Sequence, residues 1–297
     1  MLIVVVIIGI LASALIPRLT SAKGRAENTA AVKDVSDIVT ALTIYQIDNG
    51  WYPVSASCNG TIKTDCTLSW VYTELSSYLK SIPQGNSKVP QWTIGNGNIV
   101  PAWNAYGYIG TGQRYILSYW FTDTRDVQRY KAVRMPDEKW WMAENLNFKT
   151  ANSVCYDNID VNCSNWNGRL YTWDEAQTAC PQGWKLPSDN EWTIVLNKIE
   201  ELYWGIQNHW NMYDWYGSVA DTHLCKIRSD SFGMSILLAG SLYWWNWSFA
   251  FSGQWWMYWS SDDWRFRLFG GWWKIFHSDF NWDNTKAAKY SVRCIRD

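Results

Sequence analysis

The chain opens on an uncharged apolar run that limits what the rest can fold into. Residues 1–16 read MLIVVVIIGILASALI and contain no charged side chain; Pro17 and Arg18 follow. A helix that crosses a bilayer needs about 20 apolar residues, so this run is short for a simple membrane span. A bare apolar cylinder aggregates in water, and lipid or other helices must therefore surround these residues.

The more polar sequence after Pro17 continues the helix. Apolar residues recur at alternating steps of four and three, which is one stripe of an amphipathic helix; they are Ala31, Val35, Ile38, Leu42 and Tyr45. Asn49, Gly50 and Pro53 are typical of a helix end. The pattern predicts one helix over residues 1–50, bent near Pro17, apolar all round at its start and amphipathic afterwards.

This region resembles the N-terminal helix of type IV pilins and pseudopilins. The matching residues are the run VVIIGILASALIP, with Gly9 and Pro17, and the motif IDNGWYP at residues 47–53. The resemblance implies that the apolar half packs with its copies in a filament core. The assembly residues it implies are Val4, Val5, Val6, Ile7, Ile8, Gly9, Ile10, Leu11 and Pro17.

One part of the family pattern is missing from this sequence. In the family, a phenylalanine at the mature N-terminus and a glutamate four residues later precede the apolar run. We therefore expect about five residues and a leader peptide to precede Met1. A cleaved signal peptide, with Ala12–Ala14 as its small-residue site, and a single-pass anchor are the alternative interpretations of the run.

Residues 51–122 are predicted to form a small β-rich head packed on the helix. Cys58 and Cys66 bracket a short polar loop, and a disulfide there is typical of an oxidising, extracytoplasmic location. Residues 68–83 predict a short helix and turn. Strands are predicted at residues 106–108 and 115–120, around a turn that contains Gly110 and Gly112.

The sequence from Asp123 onward predicts a second domain, residues 123–297. A strand, a turn at Met135–Asp137 and a second strand come first. Two helix starts follow at Thr172–Glu175 and Ser188–Glu191, and each has the Ser/Thr-x-x-Glu spacing of a capping box.

This second segment resembles the Fibrobacter-type major paralogous domain. The matching motifs are KWWMAENLNF, GRLYTWDEAQTACPQGWKLPSDNEW, SILLAG, YWSS and the closing SVRC. The resemblance implies a C-type-lectin-like fold in which Cys180 pairs with Cys294, with Cys155–Cys163 as a local pair. For the long loop between Cys180 and Cys294, the chain-entropy model gives about 4–5 kcal/mol of stabilisation by the disulfide. Cys225 is left over, as a buried small residue, an intermolecular partner or a reactive thiol.

Tryptophan is concentrated near the C-terminus: ten of the 24 Trp fall in residues 243–284. A core cannot use them all, because each buries up to about 250 Å² and needs a partner for its indole N–H. We expect Trp173, Trp184, Trp192 and Trp259 to be core. The Trp expected in an exposed aromatic face are Trp244, Trp247, Trp255, Trp264, Trp272 and Trp273. The predicted ligand-binding residues are Tyr243, Trp244, Trp245, Trp247, Trp255, Trp256, Trp264, Phe266, Trp272, Trp273, Phe276 and Trp282.

Residues 243–284 also resemble the variable cassette of diversity-generating retroelement target proteins, which use a C-type-lectin-like fold and end near an Arg-Cys motif. The resemblance implies that this segment is diversified. Because Trp faces stack on sugar rings, glycans are a candidate ligand beside proteins and cell surfaces.

Other functional classes find little support in the sequence. The net charge of −1 lacks the cationic excess that nucleic-acid binding needs. His209, His223 and His277 show no metal-ligand spacing, and Asn281–Asn284 has the residue types of a calcium-lectin motif in the wrong order. No phosphate loop, zinc cluster or nucleophile elbow is found. We expect no metal, no cofactor and no enzymatic activity.

The predicted fold class is α+β: a pilin-like helix with a small sheet, then a C-type-lectin-like domain. The predicted function is a structural subunit of a type IV pilus-like extracellular filament, displaying a Trp-rich binding domain. Its expected partners are its own copies, the inner-membrane assembly machinery before assembly, and an extracellular surface, protein or glycan; no nucleic acid is expected. The alternatives are a membrane-tethered monomeric adhesin and an enzyme on a formylglycine-generating-type scaffold.

Overall fold

The structure of the chain is a computed structural model. It describes residues 2–54, 72–79, 107–110, 115–164, 167–204, 241–242, 249–250, 255–262, 266–270, 275–277 and 288–297. At some of these positions, residues 2–14 and Pro17 among them, it describes the backbone alone. The chain divides into two compact units, Met1–Lys131 and Ala132–Asp297.

The first unit is a long helix on a β-hairpin. Helix α1 spans Leu2–Asn49 and is continuous through Pro17, and a short helix α2 spans Tyr72–Leu75. Strands β1 (Gly107–Gly110) and β2 (Tyr115–Thr122) pair antiparallel, with Gly110 opposite Tyr115. The long helix and both strands are confirmed, while a bend at Pro17 stays a prediction. Within the described part of the chain, no helix is long and apolar enough to cross a membrane.

The predicted stripe of α1 is the face that packs on the hairpin. Helix α1 contacts β2, and Tyr45, the last residue of the stripe, is half-buried. Burying a large aliphatic or aromatic side chain contributes about 1.5–3 kcal/mol, so this face is the main stabilising contact of the unit. The buried residues are Ala31, Val35, Ile38, Ala41 and Leu42 on the helix and Tyr108, Leu117, Tyr119 and Phe121 on the strands.

Two small residues of α1, Asn28 and Gly24, lie against the end of β2 and the residues after it. The Asn28 amide nitrogen donates to the Thr122 carbonyl at 2.7 Å, and its oxygen accepts the Thr122 N–H at 2.8 Å. Asn28 thus satisfies both backbone groups of Thr122, as a neighbouring strand would. One turn earlier Gly24 is buried, and a Cβ there would lie 3.1 Å from the Thr124 Cγ2 methyl.

The second unit is built from short strands and four helical segments among its described residues. Its β-elements are β3 (Arg129–Arg134, divided between the units), β4 (Trp140–Met142), β5 (Leu170–Tyr171), β6 (Ser241–Leu242), β7 (Phe249–Ala250), β8 (Trp255–Trp259), β9 (Phe266–Gly270), β10 (Ile275–His277), β11 (Tyr290–Ser291) and β12 (Ile295–Arg296). Its helices are a 3-10 turn (Tyr156–Asn158), α3 (Asp160–Ser164), α4 (Trp173–Ala179) and α5 (Asp189–Trp204).

The strand order brings distant parts of the sequence together. Strand β4 lies between β3 and β12, antiparallel to both. The other large sheet has the order β10-β9-β8-β11-β5, in which β11 runs parallel to β8 and antiparallel to β5. The predicted strand, turn and strand after Asp123 are confirmed as β3 and β4. The α+β class is confirmed, whereas the C-type-lectin-like fold and a domain boundary after residue 122 stay predictions.

One predicted capping box is confirmed and the other is wrong. At α5 the Ser188 hydroxyl accepts the Glu191 N–H at 3.1 Å, and the Glu191 carboxylate accepts the Ser188 N–H at 2.9 Å. At α4, Thr172 occupies the N-cap position but makes no capping hydrogen bond with its side chain. There the Glu175 carboxylate accepts the Asn152 N–H instead, at 2.7 Å, because a loop of the fold reaches it.

Two disulfides staple this unit. Cys180, at the end of α4, is bonded to Cys294, just before β12, and Cys155 is bonded to Cys163. These are the pairs that the resemblance implied. Cys58, Cys66 and Cys225 lie outside the described residues, and their predicted states stay predictions.

A cluster of ion pairs fixes the start of α5. Glu191 Oε1 lies 2.8 Å from the Lys185 ammonium and 2.9 Å from that of Lys139. The Asp297 carboxylate contacts the same two lysines. Burial acts to raise the pKa of Glu191, but hydrogen bonds from Lys185, the Ser188 N–H and Lys139 outweigh it, and the pKa falls from 4.5 to about 2.

Gly168 occupies a position that no other residue fits. Its φ is +68°, and a Cβ would lie 2.6 Å from the Leu146 carbonyl oxygen and 2.7 Å from the Asn145 Cβ. Left-handed backbone costs an L-residue about 1–2 kcal/mol, and overpacking adds about 1–3 kcal/mol. Gly183 has a similar φ of +82° with nothing within 4 Å, so it isolates the backbone contribution.

We predict that Gly168→Ala lowers the free energy of unfolding by about 2–5 kcal/mol, and Gly183→Ala by about 1–2 kcal/mol. The measurement is urea unfolding of the detergent-solubilised chain followed by Trp fluorescence. That signal reports on the second unit, because 19 of the 24 Trp lie in residues 132–297. Equal shifts for the two variants would show that the contact with residues 145–146 contributes nothing.

The lowered pKa of Glu191 predicts how stability depends on pH. Its folded-state pKa of about 2 lies below the ordinary value of 4.5. Stabilisation by its carboxylate is therefore complete above about pH 5 and is lost as the pH falls through 4.5 toward 2. We expect Glu191→Gln to lower the urea midpoint at pH 7 and to flatten its fall between about pH 5 and pH 2. Parallel pH profiles for the two proteins would contradict this.

Candidate functional site

The chain has two candidate functional regions, the apolar start of α1 and the aromatic strands β8–β10. The predicted assembly residues, 4–11 and Pro17, lie in the continuous backbone of α1. Their side chains are outside the described part of the structure. Further along the helix, the side chains of Leu15, Ile16 and Leu19 are described, and all three are exposed.

Four of the twelve predicted ligand-binding residues lie in described strands. Trp255 and Trp256 are in β8, Phe266 begins β9 and Phe276 is in β10; at all four the backbone alone is described. The remaining eight, Tyr243, Trp244, Trp245, Trp247, Trp264, Trp272, Trp273 and Trp282, lie outside the described residues. Their role in binding stays a prediction.

The strand register shows which of these positions are neighbours. Trp256 of β8 is opposite Phe269 of β9, and Phe269 is opposite Ile275 of β10. Phe266 is opposite Trp259. Residues directly opposite on antiparallel strands have Cβ atoms about 4.5–5.5 Å apart. Aromatic and aliphatic positions therefore lie side by side in rows across β8, β9 and β10.

The C-terminal end of β8 is anchored in the core. Trp259 is buried, its indole N–H donates to the Tyr171 carbonyl at 2.6 Å, and its ring lies 4.4 Å from that of Tyr290. Tyr258 is buried as well, with its ring 5.7 Å from that of Trp192. Neighbouring residues of one strand point to opposite faces, so β8 is held from both sides at this end.

A buried polar cluster lies under Tyr258. The Asn145 side-chain oxygen accepts both the Tyr258 hydroxyl and the Arg293 Nε–H, each at 2.9 Å. Arg293 also donates to the Met142 carbonyl at 3.1 Å, and its guanidinium lies 5.6 Å from the centroid of the Tyr258 ring. Buried charges need hydrogen bonds, and these bonds satisfy several of the guanidinium donors. The cluster joins β4, β8 and the segment that leads into β12.

Sequence reasoning missed Asn145 and Arg293 as a pair. Both lie inside quoted motifs, Asn145 in MAENLNF and Arg293 in SVRC, but 148 positions separate them. The sequence offers no local signal for the pair, because Glu144 and Asn147 are polar neighbours of Asn145 and the contact depends on the order of the strands. The predicted core Trp are confirmed for Trp184, Trp192 and Trp259, which are buried, whereas Trp173 is half-buried.

A second polar contact lies where the Trp-rich segment returns to the core. Lys289 is buried beside β11 and donates from its ammonium to the Asn152 carbonyl. Burial lowers the pKa of Lys289, and the charge of Glu175 opposes that shift. Since Glu175 also accepts the Asn152 N–H, the loop around residue 152 is held from α4 and from the strand end.

The described residues offer little for metal chemistry. Among them, no group of three or more His, Cys, Asp or Glu side chains is arranged to hold a metal ion. The described clusters of polar side chains are instead joined by hydrogen bonds and ion pairs within the fold. What the β8–β10 region offers chemically is a supported array of aromatic and aliphatic positions.

Comparison with known proteins finds a similarity over part of the chain. No protein-family model matches the chain, and no solved structure gives a significant match. The chain is similar to the type II secretion system core protein G of Pectobacterium carotovorum subsp. carotovorum, at 33% identity over 88 residues, which are 28% of this chain and 54% of that protein. The core protein G of Aeromonas hydrophila and that of Escherichia coli (strain K12) are each 41% identical over 54 residues, 18% of this chain and 38% and 37% of those proteins.

The chain spans about half, or less, of the length of these curated relatives. The similarity supports the pilin-like interpretation of the N-terminal region. It gives no evidence for a lectin-like domain or a diversified cassette, which stay predictions. Over part of its length, this chain is thus similar to the core protein G of type II secretion systems.

Proposed function

We propose that the chain is the structural subunit of a type IV pilus-like filament, and that residues 123–297 are a binding domain displayed on it. The observation that carries the proposal is α1. It is a single long helix whose start is apolar and whose later stripe packs on a β-hairpin, and the partial similarity of the chain to core protein G is consistent with a pilin-like helix. The proposed role is structural and includes no catalytic step.

The assembly part of the proposal follows from the exposed apolar surface of α1. Residues 2–16 carry no charge, and Leu15, Ile16 and Leu19 are exposed at the end of this run. Such a surface is stable in lipid before assembly and against copies of itself afterwards. The partners of this half are therefore the membrane, the inner-membrane assembly machinery and other copies of the chain.

The binding part of the proposal rests on the aromatic rows of β8–β10. Strand β8 is anchored to the core through Tyr258 and Trp259, and β9 and β10 are joined to it in the same sheet. Aromatic side chains provide large contact area at low entropic cost, which suits a protein surface or a sugar ring. We propose an extracellular surface, protein or glycan as the ligand, and a filament on the cell surface as the location.

We predict that Val5→Asp or Ile8→Asp abolishes filaments, because a carboxylate cannot be buried unpaired in a helix-packed core. Thr43→Asp adds the same charge at an exposed position of α1 and is expected to leave filament yield unchanged. Electron microscopy of material sheared from cells measures the yield, and the separately expressed segment 123–297 is expected to stay folded and soluble. Normal filaments from Val5→Asp would contradict packing of this segment, and single particles from the unmodified chain would favour the monomeric adhesin.

We predict that Trp244→Ala, Trp264→Ala or Trp272→Ala weakens attachment at least about tenfold with little loss of stability, as expected of an aromatic hot spot. Trp184→Ala, at a buried position, is the contrasting variant and is expected to destabilise by about 3–5 kcal/mol. Thermal unfolding and adhesion are measured on the same four variants. If the first three unfold the chain as severely as Trp184→Ala, those residues are core and the binding face is wrong.

A further inference from the structure

The short disulfide of the second unit lies against a buried cation. The Arg169 side chain is buried, and its Nη1 lies 3.4 Å from the Cys155 sulfur and 3.7 Å from the Cys163 sulfur. Arginine is almost never fully buried unless its charge is paired. Among the described residues, however, no carboxylate lies within 4 Å of this guanidinium, and its side-chain hydrogen bonds go to the two sulfur atoms.

A disulfide is a poor partner for a buried guanidinium, because its sulfur atoms are uncharged and accept hydrogen bonds weakly. A thiolate in the same place is a full anion and accepts a charge-assisted hydrogen bond. Arg169 therefore stabilises this pair of cysteines better when their bond is broken and one sulfur carries a negative charge. The Asp160 carboxylate opposes the effect, since its Oδ1 lies 3.8 Å from the Cys155 sulfur.

The other disulfide of the unit has the opposite arrangement. Cys180 is half-buried, and thus more exposed than Cys155 or Cys163, whereas Cys294 is fully buried. Attack at Cys180 releases the Cys294 thiolate into the core, and no hydrogen-bond donor in the described part of the chain contacts either sulfur of this pair. Exposure alone makes Cys180–Cys294 the more reactive bond, but stabilisation of the released thiolate favours Cys155–Cys163.

We propose that Cys155–Cys163 is a thiol-exchange site, which attaches a thiol-bearing peptide covalently to the second unit. The peptide thiolate attacks the sulfur of Cys163, which is 7% exposed against 4% for Cys155. A disulfide forms between the peptide and Cys163, the original bond breaks, and its electron pair stays on Cys155 as a thiolate beside Arg169. One disulfide replaces another, so no further oxidant or reductant is needed. This inference concerns the second unit alone and does not depend on filament assembly.

The test treats the full chain in detergent with excess reduced glutathione, quenches the reaction with N-ethylmaleimide and maps the peptides by mass spectrometry. We expect glutathione on Cys163 and the maleimide on Cys155, formed at least about tenfold faster than any adduct at Cys180 or Cys294. Equal rates at the two disulfides, a faster reaction at Cys180, or glutathione on Cys155 in place of Cys163 would overturn the inference.

Two exposed carboxylates of the same loop provide matched variants. Asp160→Asn removes the charge that faces the Cys155 sulfur and is expected to raise the exchange rate about threefold or more. Asp157→Asn removes the same charge from the loop without that contact, and a smaller change is expected. Arg169→Met is expected to lower the rate about tenfold or more, and Arg169→Lys, which keeps the charge, to restore part of it.

The rate at Cys180–Cys294 in the same molecules shows whether a variant has damaged the fold, because a loosened fold exposes both disulfides and speeds both reactions. A slower exchange confined to Cys155–Cys163 in Arg169→Met therefore supports the inference, and an unchanged rate there overturns it. If Arg169→Met speeds both reactions, the two loop variants decide: a larger gain for Asp160→Asn than for Asp157→Asn supports the inference, and equal rates overturn it.

Discussion

Helix α1 carries apolar side chains both on the face that packs on the hairpin and on its exposed face, and the first unit is organised around it. One face is satisfied within the chain, where Val35, Ile38 and Leu42 pack on the β1–β2 hairpin. The Asn28 amide fixes the level of that packing through the backbone of Thr122. On the opposite face Leu19, Ile44 and Ile47 are exposed, and the uncharged apolar start requires lipid or other helices around it. Filament assembly is one physical answer to that requirement.

In the second unit, short strands must be held together around large aromatic side chains. Its described strands are two to six residues long, too short to be stable by pairing alone. Stability comes instead from buried indoles such as Trp192 and Trp259, from the Asn145–Arg293 cluster, and from the bond between Cys180 and Cys294. These contacts fix the C-terminal end of β8, the strand to which β9 and β10 are joined in order.

The parts of this structure that were predictable are those that local sequence determines. The 3.6-residue period identified α1 and its buried stripe, and the Ser188 capping box located the start of α5. The Thr172 capping box was wrong because Asn152, distant in sequence, takes the carboxylate of Glu175. Likewise, the Asn145–Arg293 pair depends on strand order, which no local pattern encodes. The exposed, ligand-binding role of the Trp was predicted from composition, and it stays a prediction for all of them.

The disulfide between Cys180 and Cys294 has a mechanical consequence for the proposed attachment role. The bond closes a loop of 114 positions that contains the whole Trp-rich segment. A pull on any residue within that loop reaches Cys180 by two covalent routes, one along the chain from α5 and one through Cys294. The pulling force is shared between these two routes, and the disulfide prevents the segment from being extended to its full length. In the proposed role, an attachment surface within this disulfide-closed loop tolerates pulling force and changes of sequence. The reason is that both ends of the loop stay joined at Cys180, at the end of α4.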